Sequence, residues 1–73
     1  MKDKVKKLCL KYSWRLFWDG DFNFKVSKDK TIIYVSNYKG PQTLKVRTFK
    51  DENLGDHTVE AEDTLKKLEE LMQ

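Results

Sequence analysis

The sequence predicts an α+β domain of order α-β-β-β-α: an N-terminal helix, a three-stranded antiparallel meander and a C-terminal helix, with both helices on one sheet face. Three observations predict it. Apolar residues recur at helical spacing towards each end, they alternate with polar residues across the middle, and turn-forming residues separate the alternating runs. The 73 residues make one domain, 1–73, with a correspondingly small core.

The first element is a helix from residue 2 to about 17. At 100° per residue Val5, Leu8, Cys9, Tyr12 and Leu16 fall within one narrow arc, a stripe that packs on a core. Leu10, Trp14 and Phe17 form a second apolar stripe, with Trp18 apart from both, and Gly20 marks the stop. A competing reading ends the helix near Ser13. Trp14, Leu16 and Trp18 then alternate along a short extra strand at 14–18, and Asp19-Gly20 becomes a hairpin turn. The helix is the preferred reading.

In "FNFKVS" Phe22, Phe24 and Val26 share one face, the pattern of a half-buried strand. "TIIYVSNY" is apolar on both faces and reads as the central strand. Lys39-Gly40-Pro41 signals a turn, and "TLKVRTF" alternates again. "KDENLGD" reads as a loop. From about Val59 the helical period returns with Ala61, Leu65, Leu68 and Met72, supported by Glu62–Lys66 and Asp63–Lys67 pairs at i,i+4. The core face of the sheet then carries Phe22, Phe24, Val26, Ile33, Val35, Leu44 and Val46. The open face carries Lys25, Ile32, Tyr34, Lys45, Arg47 and Phe49. A one-residue slip in register exchanges the two faces.

The formal net charge is +3, unevenly spread. Residues 1–50 hold thirteen Lys/Arg against four Asp/Glu, a balance of +9; residues 51–73 hold two against eight, a balance of −6. That asymmetry points to a charged partner or to two halves that neutralise each other. The lone cysteine, Cys9, rules out an internal disulfide and a Cys-based metal site, and fits a reducing compartment. No secretory h-region and no run of about 20 apolar residues is present, so a cytoplasmic protein without a membrane role is expected.

Four surfaces carry candidate functions. The open sheet face joins Lys25, Lys45 and Arg47 to Tyr34, the cations and ring that nucleic acid needs for its phosphates and unpaired bases. Lysines of the first helix, Lys7 and Lys11 among them, extend the basic character. Arginine is scarce, two against thirteen lysines, which disfavours base readout by bidentate contacts. The stripe of Leu10, Trp14 and Phe17, with Trp18, is a candidate protein interface or homodimer contact. The acidic segment, with Asp51, Glu52, Asp56, Glu60, Glu62, Asp63, Glu69 and Glu70, offers a phosphate-like surface to a basic partner.

Catalysis has little support. Cys9 lies in the core stripe, His57 is the only histidine, and no carboxylate sits in an apolar stretch that would raise its pKa. No cofactor, glycine-rich phosphate loop or metal site is expected.

The predicted order α-β-β-β-α in some seventy residues resembles the double-stranded RNA-binding domain. That family carries a basic cluster at the start of its last helix; here the position reads "TVEAEDTLKK", acidic until Lys66, so no functional residue carries over. The Lys-rich, charge-split composition also looks like small phage accessory proteins, including inhibitors of host nucleases. The expectation is a non-enzymatic binding module that holds nucleic acid through its backbone with weak sequence specificity. The alternative is a phage-type protein-binding inhibitor or adaptor of a nucleic-acid-handling enzyme, using the aromatic 14–18 stretch or the acidic C-terminal helix, and a third is a dimeric subunit.

Overall fold

The computed structural model describes residues 2–20, 23–38, 40 and 42–73. Helix α1 spans Lys2–Tyr12. Five strands follow: β1 (Arg15–Gly20), β2 (Asn23–Lys28), β3 (Thr31–Asn37), β4 (Thr43–Lys50) and β5 (Glu52–Glu60). A 3-10 turn, Ala61–Asp63, leads into helix α2, Thr64–Met72. All strand pairs are antiparallel and neighbours in sequence are neighbours in the sheet, β1-β2-β3-β4-β5. The expected three-stranded sheet is therefore corrected to five, with an added strand at each edge. The likeness to the double-stranded RNA-binding domain, which rested on three strands, goes with it.

The first correction begins at Ser13. Its φ is 63°, the left-handed region, and Trp14 N–H reaches back to the Cys9 carbonyl at 2.8 Å. A left-handed residue followed by a six-to-one bond is a Schellman stop. The helix thus ends at Tyr12 rather than near residue 17, and Arg15–Gly20 extends as β1. Gly20 is a strand residue paired with Asn23, so Asp19-Gly20 is not the hairpin turn. The second correction is "KDENLGD". After a turn at Asp51, φ 69°, the chain runs back along β4 as β5. A register shift between Thr48 and Phe49 pairs Thr48 with Gly55 and Phe49 with Asn53, which leaves Leu54 as the extra, exposed residue. Val59 belongs to this strand, so the second helix starts later than its periodicity suggested.

The register fixes the faces. Leu16, Val26, Ile33 and Thr48 lie in one cross-strand row, and Trp18, Phe24, Val35, Val46 and His57 in the next. Both rows face the helices. Val5 and Cys9 of α1 and Leu68 and Met72 of α2 complete the core with Phe24, Val26, Ile33, Val35, Leu44 and Val46. Burying a side chain of this size stabilises by about 1.5–3 kcal/mol relative to exposure, so a small set of residues holds the fold. Thr64 is fully buried at the start of α2 and donates to the Glu60 carbonyl at 3.2 Å. Phe22 and the Lys39 and Pro41 flanks of the expected turn lie outside the described residues.

Candidate nucleic-acid interface

Among the described residues no helix or strand covers the sheet face turned away from the helices. One row crosses all five strands on this side: Phe17, Lys25, Tyr34, Arg47 and Asp56 are successive register partners. Beside it Ile32 pairs with Phe49, and on the other flank Ser36, Lys45 and Thr58 align. Period-two geometry accounts for this arrangement, since each strand buries every second residue and presents the others here. Phe17 is 47% exposed and Tyr34 36%, large rings standing in solvent.

The rings and cations touch. Lys25 Nζ lies 5.0 Å from the Phe17 ring centre and 6.0 Å from that of Tyr34, so one ammonium sits over two rings. Tyr34 and Phe49 meet edge to face with centres 5.5 Å apart. Lys45 Nζ sits 5.2 Å over the Tyr38 ring and 4.0 Å from Asp56 Oδ2. Arg47 Nε is buried without a hydrogen-bond partner. Two open hollows flank this centre. One of about 490 Å³ is lined by Phe17, Lys25, Tyr34 and Arg47 among others; one of about 410 Å³ by Ile32, Tyr34, Arg47 and Phe49.

The comparisons with known families, characterised proteins and solved structures give no match.

The structure brings together Lys25, Tyr34, Lys45 and Arg47, and adds Phe17, Ile32 and Phe49. Phe17 was grouped by sequence with the protein-interface stripe. Its membership here was readable only once Leu16 and Trp18 were known to point inward along a strand. Lys7 and Lys11 belong to α1 on the opposite side of the sheet. Lys7 lines a helix-side hollow with Lys4, Leu8, Leu65, Lys66 and Glu69, and Lys11 is paired with Glu69 at 3.2 Å.

The expected stripe of Leu10, Trp14, Phe17 and Trp18 is not one surface. It depended on a helix through residue 17, and the stop at Tyr12 disperses it. Leu10 stands exposed on α1, while Phe17 faces the open sheet side. Trp14 packs against the core and donates its indole N–H to the Met72 carbonyl at 3.1 Å. Trp18 stacks on Phe24 with ring centres 4.6 Å apart and planes 5° apart, on the core side.

Of the acidic residues, Glu60, Glu62 and Asp63 are exposed where β5 passes into the 3-10 turn. The expected i,i+4 pairs of Glu62 and Asp63 are replaced, for Lys67, by Glu70 at 3.7 Å. Among the described residues, the ion pairs Lys11–Glu69 and Lys45–Asp56 join the basic and acidic halves of the chain. Burial pushes the Cys9 thiol up, away from the thiolate a nucleophile needs. Among the described residues no cluster of three or more His, Cys, Asp or Glu is arranged to hold a metal ion, and no helix is long and apolar enough to cross a membrane.

Proposed function

We propose that this protein binds single-stranded nucleic acid across its open sheet face, through phosphate contacts and base stacking and with weak sequence specificity. The observation that carries the reading is the row Phe17–Lys25–Tyr34–Arg47, in which rings and cations alternate on four adjacent strands. Cations neutralise phosphates and release counterions. Exposed rings stack on bases of any identity, each worth about 1–3 kcal/mol. A duplex hides its base faces and would leave the rings idle, so the single strand is favoured. On β1 to β4 the open side carries Arg15, Lys25, Lys45 and Arg47 against Asp19, a local excess of positive charge that suits a polyanion. The reading also fits the cytoplasm, where nucleic acid is at hand and Cys9 stays reduced.

The alternative, a protein-binding inhibitor, loses its aromatic patch, and the acidic Glu60, Glu62 and Asp63 remain as its surface. Fluorescence anisotropy with single-stranded and duplex DNA and RNA decides between them. Micromolar binding of single strands is expected, with a log–log salt slope of about −2 to −3 for three or four phosphates on a single strand. Lys45→Glu is expected to weaken it at unchanged thermal stability; Tyr34→Leu is expected to weaken it as well and, by losing the edge-to-face contact with Phe49, to lower the melting temperature by a few degrees. No binding of any nucleic acid at low salt would end this reading and move attention to the acidic surface.

A further inference from the structure

We infer that the binding unit on this face is two consecutive nucleotides, one base in each hollow, with the phosphodiester between them held by Arg47. The inference rests on the single-strand reading above and sharpens it. The two hollows share a wall made of Tyr34 and Arg47. Each has an aromatic side of its own, Phe17 in the wider and Phe49 in the narrower. Phe49 lies two residues along β4 from Arg47, about 7 Å on a strand. An unstacked single strand covers a step of that order between neighbouring nucleotides.

Arg47 is the cation placed for the bridge. It lines both hollows, whereas Lys25 lines only the wider. Its Nε is a buried donor with no partner, and among the described residues nothing bonds its guanidinium. Lys45, by contrast, already has Asp56. Nε itself lies out of reach of a ligand, so an incoming phosphate oxygen would be met by the terminal nitrogens of the fork through charge-assisted hydrogen bonds. Lys25 occupies the wider hollow in the free protein, its ammonium over Phe17 and Tyr34. A base entering there displaces the ammonium outward, towards the next phosphate along the strand.

The test is a titration of the intact protein, followed by amide and side-chain NMR shifts. The probes are thymidine 5′-monophosphate, the dinucleotide TpT, TpT with an uncharged methylphosphonate bridge, the tetranucleotide, and a 20-mer oligothymidylate. TpT is expected to bind about tenfold more tightly than the monophosphate, one stacked base being worth that much. The uncharged bridge keeps both stacked bases and is expected to cost a few-fold relative to TpT, the share held by Arg47, and Arg47→Lys, which keeps the charge and loses the fork, is expected to cost a similar few-fold. The tetranucleotide adds only a few-fold over TpT. Arg47→Lys must retain the wild-type melting temperature, which separates lost binding from lost fold. If TpT binds no better than the monophosphate, or Arg47→Lys binds TpT as well as wild type, the two-nucleotide unit is wrong even while the 20-mer binds. If the 20-mer also fails to bind, the single-strand reading falls with it.

Discussion

Glu69 is where the two helices are tied together by polar groups. Its Oε2 accepts from the Tyr12 hydroxyl at 2.8 Å and from the Lys11 ammonium at 3.2 Å, both at the end of α1. The Tyr12 hydrogen bond first, then the Lys11 bond, holds the carboxyl below the ordinary glutamate range. In turn the hydrogen bond to Glu69 holds the Lys11 ammonium above the usual lysine range. A carboxylate with a depressed folded pKa contributes stability that is present above its unfolded value and lost as pH falls through the folded one. For an ordinary glutamate the loss starts near about pH 5 and continues through lower pH. The raised lysine acts at the other end, its contribution fading only as pH rises through its folded value. Glu69→Gln keeps an acceptor for Tyr12 and removes the charge. Melting temperatures from pH 3 to pH 8 are therefore expected to differ between wild type and variant above about pH 5 and to converge below it. Parallel curves over the whole range would show that Glu69 does not link stability to pH.

At the scale of elements, the three inner strands and the two edge strands differ in how far the sequence betrays them. Residues of β2, β3 and β4 alternate because each strand has one face on the core, and Val26, Ile33, Val35, Leu44 and Val46 stand at every second position. The same parity turns Lys25, Tyr34, Lys45 and Arg47 to the open face, so most of the candidate site was legible. The edges were not. β1 carries Leu16 and Trp18 inward and Phe17 outward, spacings that a helix also accommodates. What ends the helix is Ser13 in the left-handed region, a position where glycine is the usual signal. β5 reads "ENLGDHTVE", rich in Asn, Gly, Asp and Glu, which are poor strand formers. Only Gly55, His57 and Val59 are even half-buried, so alternation is faint. Polar and charged residues are what an edge strand needs to resist pairing with other chains. Amide hydrogen exchange checks the five-stranded order. Amides of β3, flanked on both sides, are expected to exchange slowest, while β1 and β5 show alternate fast and slow amides because only one edge is bonded. Uniformly fast exchange across residues 52–60 would mean that β5 is not a strand in solution.

For the whole molecule the charge asymmetry now has a spatial meaning. The acidic C-terminal third does not lie apart from the basic remainder. It returns along β4 as β5 and places Asp56 at the end of the ring-and-cation row, opposite Arg47 and within 4.0 Å of Lys45 Nζ. Asp56 therefore occupies a cation that a phosphate would otherwise take, and it bounds the path of a strand on the β5 side. Asn53 Nδ2 donates to Asp56 Oδ1 at 3.2 Å, an acceptor that asparagine retains. The Lys45–Asp56 pair is partly exposed and at the limit of ion-pair distance, and such surface pairs contribute about 0–1 kcal/mol, so Asp56→Asn is expected to leave the melting temperature nearly unchanged. Its effect on binding is larger. A unit charge about 4 Å away interacts at about 1 kcal/mol even in water, so affinity for a single strand should rise about fivefold at low salt. Releasing Lys45 adds one phosphate contact, which steepens the salt slope by about 0.7. Anisotropy titrations of wild type and Asp56→Asn at several salt concentrations read both quantities at once. A tighter complex with an unchanged slope would mean that Asp56 merely repels the strand from a distance. An unchanged affinity would mean that the bound strand does not reach Lys45 and that its path on β4 ends at Arg47 and Phe49.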